Sequence, residues 1–472
     1  MKLSQALQIK SGDVIALVGG GGKTTAMFRL ANELAPRMRV LTTTSTRIFA
    51  AQIKHAPAYV TFEPGRQTIA GILPRLEAAL DQHGQVLLIG QADVKSGKAF
   101  GLSPEIVDML AATGRFEVII NEADGSRMRP FKAPAAHEPV IPQHTTVVVP
   151  MVGLDILGQP LEDEWVHRAA LVSQLSGAAP GQVVTPEAIV TVLGHPEGGL
   201  KNVPVGARVV PLLNKVDYAP GRKASPGAAQ RSASEAGQVD QGTLTLAGEI
   251  AAKLLANERI DSVVIGAARE ATSPALEVHS RSAAILLAAG GSTRFGAPKQ
   301  LARWGHKTLI ERAVEVALAS QARPVIVVLG AEIEQSRALL AGRPVQVVIN
   351  EAWAEGQSRS MQAGLAALPA NVRSALFLLV DLPGVTPDII NQLIQRHRET
   401  LAPIVWPEFE GQRGNPILFD RSLFPELRQI KGDTGGKPVL LAYQDRAERV
   451  IVSARAILQD IDRPEDLERI SD

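Results

Sequence analysis

The chain has 472 residues, 45% of them hydrophobic and 21% charged, with a formal net charge of +1. At ~150 residues per domain this is two or three globular domains with ample core, and the near-neutral balance excludes nucleic acid as the main partner. The absence of cysteine excludes disulfides and thiolate metal sites, no apolar run reaches the ~18 residues of a membrane span, and the opening residues lack the apolar stretch of a secretory signal; a cytoplasmic chain with no membrane partner is expected.

In chain order, short apolar runs alternate with helix-patterned stretches. Runs at 13–19, 39–44, 85–90, 117–124, 145–152, 208–217 and 261–266 are the expected strands of the first half. Those of the second are 283–290, 324–330, 345–350, 374–381 and 402–406. Continuous apolar strands separated by helices are buried on both faces, as in mainly parallel sheets. Two such series predict two α/β domains. The expected bounds are 1–270 and 284–472, joined by a linker at 271–283, for which a plain surface loop is the alternative. Residues 219–242, rich in Ala, Gly, Ser, Pro and Gln, have too little apolar surface to offset the entropy of ordering. They read as a low-complexity insertion inside the first domain.

The first strand runs into VGGGGKTT, residues 18–25, which opens a helix pattern. Such a turn aims backbone N–H groups at an anion. Gly21 and Gly22 permit close approach, Lys23 adds charge and Thr24 a hydroxyl. Leu17 stands where the strict phosphate-loop pattern has its first glycine. The run at 117–124 ends in Glu122-Ala123-Asp124, where Asp124 could offer a carboxylate to Mg²⁺; a strand-end turn is the alternative. Asn214-Lys215-Val216-Asp217 resembles the NKxD element of GTP-binding proteins, with Asp217 accepting from the guanine edge. The three elements in order predict a purine triphosphate site, GTP ahead of ATP. The nine histidines show no metal-ligand spacing; His137 beside Glu138 is the one to follow.

The second half opens on LLAAGGSTRFGAPKQL, residues 286–301. Leu287, Ala288 and Ala289 end a strand, and Gly290, Gly291, Ser292 and Gly296 form a loop that lets the backbone approach a phosphate. Arg294 suits forked phosphate contacts and Lys299 acts as a point charge. Asp381 closes an apolar strand, at the edge where open α/β sheets place their sites. Asp462 lies in a second acidic segment; a helix N-cap is its alternative role, and Asp460 its competitor as a ligand. One or two carboxylates plus phosphate oxygens suit Mg²⁺.

These residues carry a resemblance. LAAGGSTRFGAPK is similar to the LAAGxSxRMGxPK motif of MobA-like nucleotidyltransferases, and more closely to their molybdenum cofactor cytidylyltransferase branch. NEAWAEGQSRSMQAGL at 350–365, FLLVDLPGVTP at 377–387, GQRGNPILF at 411–419, GDTGGKPVL at 432–440 and DIDRPEDL at 460–467 follow in the family's order. The resemblance implies a Rossmann-like, GT-A-like fold that joins CMP from CTP to molybdenum cofactor, a molybdopterin, releasing pyrophosphate. It implies Arg294, Lys299 and Asp381 as catalytic, Ser358 as nucleotide-binding, and Asp381 and Asp462 as Mg²⁺ ligands. Phe295, Asn415, Lys437 and Arg463 depart from the family's usual Met, His, Arg and Thr; Asn415 and Lys437 bear on the acceptor. Guanylyl or other nucleotidyl transfer and a non-catalytic cofactor carrier stay open, although LAAG with Pro298-Lys299 favours cytidylyl transfer. The first half resembles the YqeC-type accessory proteins of selenium-dependent hydroxylases through VGGGGKTT, LTTTSTRI at 41–48, EADGSRMRPFKAPAAHEPVIP at 122–142 and NKVD. That implies a P-loop-like α/β domain and a molybdenum hydroxylase as recipient, without specifying a reaction.

Overall fold

A computed structural model describes residues 1–93, 98–218, 239–291 and 295–469. It divides into two compact units, Met1–His279 and Ser280–Asp472. The expected insertion lies mostly outside the described residues, but its last part does not. Asp240 caps a helix, Gln241–Leu254, by accepting from the Thr243 amide. The stretch read as a linker is largely strand, Ala275–Ala288, and the units divide within it. Ala275 and Val278 within it are buried, which an interdomain tether would not need.

The first unit is built on a parallel sheet. Its strands are β1 (Asp13–Gly19), β2 (Val40–Thr44), β3 (Tyr59–Thr61), β4 (Gln85–Ile89), β5 (Val118–Glu122), β6 (Val147–Gly153), β7 (Leu212–Asn214) and β8 (Ser262–Gly266). They lie in the order β3-β4-β2-β5-β1-β6-β7-β8. β3 was not expected: three residues at a sheet edge leave no apolar run to read. The 208–217 run splits around Pro211, which has no N–H for the ladder, into Arg208–Val209 and β7. Helix α1 (Lys23–Leu34) follows β1 and buries Ala26, Met27, Leu30 and Ala31.

The second unit has β9 (Ala275–Ala288, of which the part from Ser280 belongs here), β10 (Val325–Leu329), β11 (Gln346–Ile349), β12 (Val372–Leu379), β13 (Ile404–Phe409), β14 (Ile417–Asp420) and β15 (Glu448–Ile451). The order is β11-β10-β9-β12-β14-β13-β15, with β14 antiparallel to both neighbours. Successive side chains of β9 face opposite cores: Ala284, Leu286 and Ala288 meet one, Ile285, Leu287 and Ala289 the other. At ~1.5–3 kcal/mol for each large aliphatic side chain, this fixes the strand centrally and delivers its glycine-rich end to the sheet's carboxyl edge. Two helices cover the first core, α2 (Leu309–Ala319) with a Thr308/Glu311 capping box and α4 (Pro387–Thr400) capped by Thr386. On the other face lies α3 (Gln357–Ala366). Among the described residues no helix is long and apolar enough to cross a membrane.

Candidate functional sites

In the first unit the chain leaves β1 through Gly20, Gly21 and Gly22 into α1. Gly21 has φ +76°, and a Cβ there would lie 2.0 Å from the Gly153 nitrogen, so no larger residue fits. Its N–H donates to the Arg129 carbonyl at 3.1 Å, and its carbonyl accepts from Asn214 Nδ2 at 2.7 Å. Asn214 Oδ1 in turn accepts from the Ala268 N–H at 2.8 Å. Asn214 thus ties the glycine turn to the turn after β8, and β-strand ends distant in sequence meet at one edge. Lys215 pairs with Asp155 at 2.7 Å, while Asp217 lines the cleft above, with Ala268 and Arg269.

Lys23 is 3% exposed and donates to the Gly19 carbonyl at 2.6 Å. Thr24 Oγ1 donates to Glu122 Oε2 at 2.8 Å. Asp124 does not face the cleft as expected. It is 1% exposed, accepts from the Gly19 N–H at 2.9 Å, and is paired with Lys23 at 3.2 Å and Lys132 at 3.0 Å. The carboxylate that lines the cleft beside Thr24 is Glu122. After β5 the chain turns under β1, with the Ala123 N–H donating to Leu17, and this carries Asp124 beneath the glycine turn. Burial pushes the Glu122 carboxyl up, against the charge of Lys23 and the Thr24 hydrogen bond.

The buried charges continue. Lys132 donates to Glu138 at 2.6 Å, and Arg168 grips the same carboxylate through two nitrogens at 2.6 and 3.1 Å. Three acids (Glu122, Asp124, Glu138) thus stand against three bases (Lys23, Lys132, Arg168). Burial alone would raise Glu138, but the Arg168 hydrogen bonds and the charge of Lys132 hold it down at about 2. His167 is depressed to about 4 by burial and by the charges of Arg168, Lys132 and Arg127. His137, the histidine singled out from sequence, is exposed; its neighbour Glu138 is the buried partner. Lys132, Glu138, His167 and Arg168 were not identified as a group from sequence. For Lys132 and Glu138 the signal was polar residues scattered through the long 122–142 segment; His167 and Arg168 lie outside it. Together the glycine turn, Glu122, Asp217 and this network border a cleft of about 1270 Å³.

In the second unit, Lys299 Nζ donates to Asp381 Oδ2 at 2.5 Å and to the Ile461 carbonyl at 3.1 Å, and lies 3.5 Å from Asp462 Oδ1. The Asp381 carbonyl accepts from the Ile461 N–H at 2.9 Å, which draws the two acidic segments together. The Asp462 N–H donates to Asp466 Oδ2 at 3.1 Å, at the start of the final helix. Asp460 is exposed and outside this group. Asp381 Oδ1 and Ser358 Oγ are buried without a hydrogen-bond partner among the described residues. Leu287, Ala288 and Ala289 are buried at the end of β9, and Gly290, Gly291 and Gly296 are exposed beyond it. Ser292 and Arg294 lie outside the described residues. Trp353 packs so closely on Gly291 and Gly330 that a Cβ on either would lie within 2.8 Å of its side chain. Among the described residues no group of three or more His, Cys, Asp or Glu could itself hold a metal. Two carboxylates, one with an unsatisfied buried oxygen, fit a Mg²⁺ ion that takes its other ligands from phosphates and water.

Fold and sites define a two-unit α/β protein in which each unit carries a glycine-rich turn at the carboxyl edge of its sheet. Residues 15–170 match the YqeC protein model and residues 284–448 match the MobA-like NTP transferase domain. The uncharacterized protein YqeC of Escherichia coli (strain K12) is 34% identical over 203 residues, 43% of this chain and 75% of that protein. The nicotine blue oxidoreductase of Paenarthrobacter nicotinovorans is 29% identical over 193 residues, 39% of this chain and 94% of its own. The molybdenum cofactor cytidylyltransferase of Escherichia coli (strain K12) is 28% identical over 185 residues, 39% and 91% respectively. The chain belongs to the YqeC family through its first half, and its second half is a MobA-like nucleotidyltransferase domain.

Proposed function

We propose that the second unit transfers CMP from CTP to molybdenum cofactor with release of pyrophosphate, and that the first binds a purine triphosphate in support of molybdenum hydroxylase maturation. The observation that carries the transferase reading is Lys299 held between Asp381 and Asp462, with Asp381 Oδ1 unsatisfied, at the sheet edge below Gly290 and Gly291. A phosphate oxygen of the acceptor attacks the α-phosphorus of CTP. The new P–O bond forms as the bond to the pyrophosphate oxygen breaks, and no protein nucleophile is needed. Lys299 neutralises charge on the triphosphate, Arg294 and the backbone of Gly290, Gly291, Ser292 and Gly296 hold it, and Ser358 offers a buried hydroxyl. Asp381 and Asp462 would hold Mg²⁺, which makes the α-phosphate more electrophilic.

In the first unit Lys23, Thr24, Gly21 and Gly22 meet the phosphates, Glu122 the metal shell, and Asp217 the guanine edge, with Asn214 and Lys215 supporting the turn. Glu122 replaces Asp124 in that role because it lines the cleft.

The test is to incubate the purified chain and Mg²⁺ with molybdenum cofactor and each nucleoside triphosphate in turn, identifying products by mass. The expected product is the cytidine dinucleotide, lost in Asp381→Ala with the fold intact. Lys299→Ala should weaken CTP binding by about 1.5–3 kcal/mol, one charge-assisted contact. Preferential use of GTP would overturn the cytidylyl reading, and turnover by Asp381→Ala would overturn the site.

A further inference from the structure

The cleft of the first unit is larger than one nucleotide requires. A pocket for one small ligand is commonly about 300–1,000 Å³, against about 1270 Å³ here. Its lining is also of two kinds. Asn214, Asp217 and Ala268 belong to it, and so do Arg127, Arg129, Trp165 and His167; triphosphate binding as proposed above uses none of the second group. The second group is tied to the glycine turn, since the Arg129 carbonyl accepts from the Gly21 N–H at 3.1 Å. Arg127 and Met128 have φ of +48° and +62°. Two adjacent residues with side chains adopt this left-handed conformation only where their surroundings enforce it, and such strain gathers at binding sites.

Charge gives the ligand class. Asp124 and Glu138 are already matched by Lys23, Lys132 and Arg168. The Arg127 and Arg129 guanidiniums make no ion pair or hydrogen bond among the described residues. The nearby rim acids Asp163 and Glu164 are exposed, and Asp163 accepts from the Ala169 N–H at 3.1 Å. Guanidiniums without acid partners at a cleft suit a forked oxyanion, phosphate above all. Trp165, half-buried, offers a flat apolar face, and the neutral His167 can hydrogen-bond to an uncharged part of the ligand.

We propose that the Arg127, Arg129 and Trp165 lining of the cleft binds a ring-bearing phosphomonoester beside the nucleoside triphosphate, so that the first unit is a two-ligand site. The inference rests on the triphosphate reading of the glycine turn. The test is calorimetry of phenyl phosphate with the full chain, saturated with CTP and with the tighter of non-hydrolysable GTP and ATP analogues. One phenyl phosphate should bind per chain. Arg127→Ala/Arg129→Ala should weaken it at least tenfold and leave the purine analogue's affinity unchanged. No binding, binding indifferent to the double substitution, displacement by the purine analogue, or joint loss of both affinities would each overturn the proposal. A wild-type chain that binds phenyl phosphate but neither analogue overturns the triphosphate reading and the two-ligand proposal with it, by a result distinct from failure at the arginines.

Discussion

Glu122 and Asp124 stand two residues apart and do opposite work. Glu122 lies beside Thr24 at the cleft, so Glu122→Gln should fold normally and lose most Mg²⁺-dependent nucleotide affinity in calorimetry. Asp124 is enclosed by Gly19, Lys23 and Lys132. Asp124→Asn should cost roughly 3–5 kcal/mol in denaturant unfolding, because two buried ammonium groups each lose one of their charge partners. The reverse pattern would return the metal role to Asp124. From sequence the two were hard to separate. Both end an apolar run, and the choice turns on where the strand stops, a boundary uncertain by a residue or two.

Acid stability is also set by single residues here. His167 is held neutral to about pH 4, against an ordinary value of 6.5. Below 6.5 the unfolded chain takes a proton that the folded chain refuses, so stability falls across that window. Glu138, depressed from 4.5 to about 2, contributes stability that is full above 4.5 and drains away as pH falls toward 2. Melting temperatures from pH 8 to 3 should show the upper decline removed in His167→Gln. Glu138→Gln should melt lower at neutral pH yet lose less below 4.5. Parallel curves for all three proteins would assign the decline to other groups.

At the scale of elements, the strongest apolar runs became the strands expected of them, because continuous burial on both faces leaves a readable signature. What escaped reading was short or antiparallel. β14 and β15 each have four residues. β15 alternates between half-buried and exposed positions, so it has no apolar run at all. In the candidate site of the second unit, Lys299 and Asp381, which the structure brings together, were legible, since one sits in a contiguous motif and the other at a strand end. The role of Trp353 as a wedge between Gly291 and Gly330 was not, because a long-range contact has no local pattern. Gly330→Ala would set a Cβ 2.5 Å from that of Trp353. It should destabilise by roughly 1–3 kcal/mol and raise the KM for CTP by shifting the loop. A Trp353→Gly background, which removes both the Cβ and the Cγ that the new methyl meets, should remove much of the added cost; equal effects with and without that side chain would mean the strain falls elsewhere.

At the scale of the molecule, each unit has its own buried core. A ligand stabilises what it binds by about 2.7 kcal/mol at a hundred times its Kd. Differential scanning calorimetry should therefore give two transitions, one moved upward by CTP and the other by GTP. If either nucleotide moves both equally, the units unfold as one and their sites cannot be separated this way.

The closed set of three acids and three bases beneath the glycine turn also bears on how this sequence can drift over generations. A lineage that lost Arg168 alone would leave Glu138 with one cation, and one that lost Asp124 would take a partner from both Lys23 and Lys132. At the buried members of the set, single substitutions should cost stability. Exchange is then easiest in compensating pairs, so related sequences should tend to hold the buried set intact or to have replaced its partners together.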